Sequence, residues 1–165
     1  MFDFHWIRDD LAVGARFPME LATRLAREYG IRGVVDVRIE CCDDAQALAA
    51  CGIELLHLPT VDGAAIAREM IDRGVSWVHE RLERRGSVLV HCEHGVGRSS
   101  LFAACVLVDL GATPLEAVST LKKRRPVVAW SQPQIHRFVE WCSGRGERKV
   151  PATADIQRVI WDDPR

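Results

Sequence analysis

The stretch Ser87–Ser100, SVLVHCEHGVGRSS, constrains this 165-residue chain more than any other. Ser87–His91 is a short apolar run of strand type that delivers Cys92 at its carboxyl end. The chain then turns through Glu93, His94, Gly95, Val96 and Gly97, and a helix is expected to begin near Arg98. Gly95 and Gly97 allow a tight loop whose N–H groups point inward, and the first turn of the helix adds partial positive charge. Such a turn is a nest for an anion, placed where open α/β sheets bind their ligands, outside the carboxyl ends of the strands. Five residues separate Cys92 from Arg98. That spacing suits a loop that curls round one phosphoryl group while the guanidinium grips it from the opposite side.

Donors arranged in this way also favour a thiolate at Cys92, which then attacks phosphorus without a metal. Arg98 would stabilise charge on the equatorial oxygens during transfer. Ser99 is placed to give its hydroxyl to the sulfur and ease its departure. His91 is expected to orient the loop through hydrogen bonds rather than act as a base. Glu93, His94, Gly95, Val96 and Gly97 complete, with Arg98, the expected phosphate-binding set. A lone free cysteine is ordinarily a small buried hydrophobe. Glycine, arginine and serine at these offsets after a strand outweigh that reading here.

Around this segment, short apolar runs alternate with helical stretches. Ile31–Val37 and Ile53–Leu58 read as strands. Met19–Tyr29, closed by Gly30, and the alanine-rich 43–51 stretch read as helices. Ile66, Met70, Val75, Val78 and Leu82 mark one face of a long amphipathic helix. Ser99–Leu110 is apolar nearly all round and is expected to be a central buried helix ended by Gly111, with further helices near 115–123 and 133–142. This alternation predicts an α/β fold: a central, mostly parallel sheet of four to five strands flanked by helices. Residues 1–145 are expected to form one catalytic domain, and 146–165 read as a polar tail that can end in a short helix.

Composition excludes several alternatives. Twenty-two Lys plus Arg against 23 Asp plus Glu leave a formal charge of -1, so bulk electrostatics gives no nucleic-acid partner and any attraction for an anion is local. No apolar run approaches the roughly 18 residues of a membrane span, and residues 1–10 lack the apolar core of a secretory signal. A cytoplasmic protein is the expectation. The six cysteines are irregularly spaced, without C-x-x-C, so reduced and mostly buried thiols are expected rather than disulfides or a metal site. No cofactor is implied, and the oligomeric state is left open.

His91-Cys92-Glu93-His94-Gly95-Val96-Gly97-Arg98-Ser99 resembles the H-C-x-x-G-x-x-R-[ST] signature of the protein tyrosine phosphatase superfamily. The chain as a whole resembles its compact dual-specificity phosphatases. Leu11–Gly14 is similar to the early strand of that family, Val34–Arg38 with Glu40 to its second strand and turn, and Leu58–Asp62 to the segment carrying the general acid. The resemblance covers roughly residues 5–142. It implies hydrolysis of phosphomonoesters through a phosphocysteine. The substrate is expected to be a protein carrying phosphotyrosine and phosphoserine or phosphothreonine, or a small phosphate ester.

Asp62, thirty residues before Cys92, is the candidate acid that protonates the leaving oxygen and then activates water. Its alternative role is to cap the following helix. Asp72 is the other candidate acid, expected to be solvated on that helix. Asp36 and Arg38 read as a structural ion pair. Gln132 and Gln134 fall in a segment, Ser131–Gln134, that resembles the family's late water-placing loop, although its usual Asn is missing. Lys122–Arg125 reads as a solvated helix end. Cys41 and Cys42 are candidates for a reversible disulfide with Cys92. Competing functions are hydrolysis of a lipid or sugar phosphate, a catalytically weak phosphate-binding adaptor, and a sulfurtransferase or arsenate reductase. Glu93, His94 and Val96 include no lysine, which disfavours a highly anionic substrate.

Overall fold

A computed structural model describes residues 2–147 and 149–162. The expected β-branched runs form strands, and the order along the chain is β1 (Phe4–Arg8), β2 (Leu11–Gly14), α1 (Ala22–Glu28), β3 (Ile31–Arg38), α2 (Ala45–Ala50), β4 (Glu54–Thr60), α3 (Arg68–Glu83), β5 (Ser87–His91), α4 (Arg98–Asp109), α5 (Pro114–Arg124), α6 (Gln132–Gly144) and α7 (Thr153–Trp161). One five-stranded sheet has the spatial order β1-β2-β5-β3-β4. β2, β5, β3 and β4 pair in parallel, and β1 joins β2 antiparallel at the edge.

Side chains alternate across the sheet and fill two separate apolar layers. Ala12, Val34 and Leu89 face one layer with Leu25, Ala26 and Leu48 of α1 and α2. Leu11, Val35, Val88 and Val90 face the other, which holds α3 to α7. Eleven of the twelve residues of α4 are buried, so this helix is the spine of the larger layer. The expected central helix is there, and it leaves directly from the loop that follows β5.

Two features differ from the reading of the sequence. β1 lies in the segment where no strand was expected, because Phe4–Arg8 mixes aromatic, imidazole and guanidinium side chains as an edge strand can. The 146–165 segment carries α7, whose Ile156 and Ile160 are fully buried in the main core, so this stretch packs as part of the domain. Met1, Arg148 and residues 163–165, including Pro164 of the expected tail, lie outside the described residues. Among the described residues no helix is long and apolar enough to cross a membrane.

Candidate active site

β5 is central and buried, and it ends at His91, so Cys92 emerges at the carboxyl edge of the sheet between two parallel neighbours. The loop then closes over the sulfur. The Gly95 N–H donates to Cys92 Sγ at 3.2 Å, and Ser99 Oγ lies 3.3 Å from the same sulfur. Gly95 has a positive φ of 67°, and a Cβ there would stand 2.5 Å from the Gly14 backbone. Only glycine fits. Ser100 donates to the carbonyls of Val96 at 2.6 Å and Gly97 at 2.9 Å, and Trp130 Nε1 donates to Ser100 Oγ at 2.8 Å. The loop is therefore fastened to the helix it starts.

Arg98 is 1% exposed and lies beneath the cleft. Its NH1 and NH2 form a bidentate pair with Glu40, both at 2.7 Å, and NH1 also donates to the Thr60 carbonyl at 2.9 Å. Asp62 Oδ1 is 3.2 Å from NH2. The Nε is buried and has no hydrogen-bond partner among the described residues, which leaves one edge of the fork to an anion. The hydrogen bond from Arg98 pulls the Glu40 carboxyl down to about 2. A lowered carboxylate contributes stability above its ordinary value and loses it only as pH falls through about 2. The Glu40–Arg98 pair thus stays ionised throughout the range in which an enzyme works.

Asp62, Gly63, Cys92, His94, Val96, Gly97, Ala129, Ser131 and Gln134 line one open cleft of about 290 Å³. Asp62 and Cys92 therefore face the same space. Its loop is pinned from α6: Ser131 Oγ donates to the Gly63 carbonyl at 2.7 Å, and Gln134 Nε2 to the Ala64 carbonyl at 3.2 Å. Asp62 does not cap the following helix, whose N-cap is Ala67 without a side-chain cap bond. Asp72 is exposed on α3, accepts from Trp141 Nε1 at 2.8 Å and does not line the cleft. Gln134, one of the two glutamines of the late segment, lines the cleft beside Gly97, and Gln132 does not.

Behind the loop lies a buried charge network. Asp36 accepts from Arg38 Nε at 2.9 Å and from NH2 at 2.9 Å, and also from the backbone N–H groups of Arg38 and Asp43. The expected structural ion pair is there. Arg38 NH2 reaches Asp43 Oδ1 at 2.8 Å, and His91 Nε2 is 2.7 Å from Asp43 Oδ2. His91 is thus held by a carboxylate, consistent with an orienting part. Asp36, Asp43 and His91 bring ligand-type atoms within 4.8 Å of one another, but Arg38 already occupies the two carboxylates. Removing one member of a buried pair strands its partner. Asp36→Ala is therefore expected to lower stability by about 3–5 kcal/mol in urea unfolding, and a loss below about 1 kcal/mol would contradict this account.

The site residues read from the sequence are thus brought together with a few differences. The Glu93 side chain turns to Arg16 at 2.8 Å and Arg38 at 3.6 Å, so only its backbone belongs to the loop. The solvated reading of Lys122–Arg125 fails at Arg125, which is fully buried against the phosphate loop. A residue before proline is pushed out of the helical region, and Arg125 has φ -135° and ψ 85°, which ends α5 and redirects its side chain. The pair R-P was the available signal. All six cysteines are free, but three rather than most are buried: Cys92, Cys105 and Cys142. Cys41 and Cys42 are exposed and do not line the cleft. Burial, with the nearby Asp36 and Asp43 carboxylates, pushes the Cys42 thiol up. Glu40 and Asp43 were not singled out as contacts, because only the fold brings them to Arg98 and His91.

A parallel strand ending in a cysteine, a turn whose Gly95 N–H faces the sulfur and a buried arginine agree with the family that sequence comparison shows, a phosphatase family of the protein tyrosine phosphatase superfamily. The family described as Tc-R-P, polymorphic toxin system, DSP-PTPase phosphatase, matches residues 16–112, more than half of the chain. The chain belongs to that family. It is 28% identical over 142 residues to protein tyrosine phosphatase PRL-1 of Leishmania major, covering 79% of this chain and 80% of that protein. It is 26% identical over 92 residues to the probable protein tyrosine phosphatase type IVA A of Dictyostelium discoideum, covering 53% of this chain and only 55% of that relative. The crystal structure of PTPMT1 in complex with PI(5)P superposes with a TM-score of 0.82 at 24% identity, over 88% of this chain and 97% of that one. That likeness is one of fold.

Proposed function

We propose that this chain is a cysteine-dependent phosphatase of dual-specificity type, acting on phosphomonoesters of proteins through a phosphocysteine. The observation that carries the reading is the unpartnered, buried Nε of Arg98 in the loop whose Gly95 N–H already points at the Cys92 sulfur. A phosphate seated there would take the Nε edge of Arg98 and the inward amides, with its phosphorus in line with the sulfur. The Cys92 thiolate attacks phosphorus, the bond to the ester oxygen breaks, and Asp62 gives that oxygen its proton. In the second half Asp62 takes a proton from water, which attacks phosphorus and expels the sulfur, with Ser99 offering its hydroxyl to the departing thiolate. Gln134, beside Gly97 and held near the Asp62 loop, is placed to orient that water.

Two features support a broad protein substrate. Among the described residues, none of those lining the cleft is Phe, Tyr or Trp, so no aromatic wall deepens it into a slot for phosphotyrosine alone. None is Lys or Arg either, while Glu40 carries negative charge beside Arg98, which disfavours polyphosphorylated substrates. Cys92 would be open to oxidative trapping by Cys41 or Cys42. A bridged peptide after mild peroxide is the expected product, and Cys92 sulfinic acid alone contradicts it.

The test is a panel of phosphotyrosine, phosphothreonine and phosphoserine peptides with phosphoinositide and sugar phosphate controls, assayed by phosphate release without added metal. Comparable kcat/KM on the phosphotyrosine and phosphothreonine peptides, each at least about tenfold above the nonprotein esters, is expected. A preference for the phosphoinositide or the sugar phosphate would overturn the protein-directed reading.

A further inference from the structure

Arg125 lies outside the cleft, yet its guanidinium is fully buried and makes five hydrogen bonds. Nε donates to the Gly95 carbonyl at 2.6 Å, and NH2 to the His94 carbonyl at 3.1 Å. NH1 and NH2 meet the two Asp3 oxygens at 2.9 and 2.8 Å, and NH1 is 2.7 Å from His5 Nδ1. The Arg125 hydrogen bond is also what lowers the Asp3 carboxyl. Asp3 immediately precedes the edge strand β1 and His5 lies in it; Phe4, between them, pairs with Gly14, the residue against which Gly95 is packed.

A peptide unit is planar and trans, so its carbonyl and the next N–H point in opposite directions. Holding the His94 carbonyl outward turns the Gly95 N–H inward, where it donates to Cys92 Sγ at 3.2 Å. Holding the Gly95 carbonyl in the same way fixes the Val96 N–H on the inner side. We infer that Arg125 is a positioning residue for the anion cradle, and that Asp3 and His5 hold it in register, so the N-terminal edge strand is part of the phosphate-binding apparatus. The inference rests on the phosphatase reading of the cleft. Its physical content is preorganisation: amides already aimed need no reorientation when the anion arrives. Lysine keeps the charge but not the planar fork that reaches two carbonyls and a carboxylate at once.

The test measures the Kd of orthovanadate by titration calorimetry, with kcat and KM for p-nitrophenyl phosphate, on wild type, Arg125→Lys, Asp3→Ala and Asp3→Glu. Glu116→Ala, which removes the capping box of α5 far from the loop, is the control for stability alone. Arg125→Lys is expected to weaken vanadate about tenfold or more and to lower kcat/KM by about 10². Asp3→Ala is expected to weaken vanadate about threefold to tenfold, with Asp3→Glu recovering part of it. Glu116→Ala should lower Tm and leave Kd unchanged. Asp3 is half-exposed, so Asp3→Ala decides the matter if Arg125→Lys does not fold. Vanadate bound within twofold of wild type by folded Arg125→Lys, or by Asp3→Ala, overturns the inference while the phosphatase reading stands. Wild type that binds no vanadate overturns both.

Discussion

Cys92→Ser is expected to abolish turnover of p-nitrophenyl phosphate, lowering kcat by more than about 10³, while inorganic phosphate still binds. The serine hydroxyl fits the space of the thiol and still faces the Gly95 N–H and Ser99, so the cradle persists. What is lost is the sulfur nucleophile. A hydroxyl in this site has no neighbouring base within hydrogen-bond reach, since the partners of Cys92 Sγ are an amide and another hydroxyl. His91 does not fill that role, because it is buried against Asp43. Residual activity above a tenth of wild type would mean that another group is the nucleophile.

Asp62→Ala is expected to lower kcat about 10² on an alkyl or unactivated aryl phosphate, with a smaller loss on p-nitrophenyl phosphate, whose leaving oxygen needs a proton less. KM should change little, because Arg98 keeps its fork on Glu40 and the Thr60 carbonyl. Asp62 is exposed, with 72% of its side chain accessible, and its loop is fastened by Ser131 and Gln134. An exposed acid on a pinned loop can meet leaving groups of different length, which agrees with a broad substrate range. Equal kcat for wild type and Asp62→Ala on the unactivated ester would remove Asp62 from the mechanism and leave the cleft without an assigned acid.

The strand, turn and helix around Cys92 were legible in the sequence because each part carries a local signal. Val88, Leu89 and Val90 mark a buried strand, Gly95 marks a positive φ, and the apolar 101–108 run marks a buried helix. Cys92, Arg98 and Ser99 follow from spacing within that frame and Asp62 from the resemblance of Leu58–Asp62 to the family's acid-bearing segment, and the structure brings all four to one place. What was not legible depends on pairs far apart in the chain. Glu40 reaches Arg98 across 58 residues and Arg125 reaches Asp3 across 122, and no periodicity reports such contacts. The charge of Arg125 also misled, since a basic run at a helix end is usually solvated, and only the restriction before Pro126 turns this one side chain inward. β1 went unread because an edge strand tolerates polar side chains; the short helix α7 was allowed for, but its packing into the core was not, because its two buried isoleucines lie in an otherwise polar stretch.

The central claim is that the Gly95 N–H and the buried Arg98 present the Cys92 sulfur as the nucleophile of the cleft. It is tested most directly by alkylation with iodoacetate at neutral pH, followed by peptide mass spectrometry with and without inorganic phosphate. The exposed Cys41 and Cys42 serve as internal references, and the Cys142 thiol, pushed up to about 12 by burial, serves as the inert one. Labelling of Cys92 faster than of Cys41 and Cys42, and slowed by phosphate, is the expected result. A Cys92 that stays unlabelled while Cys41 and Cys42 react, or that reacts at the same rate with phosphate present, would contradict it.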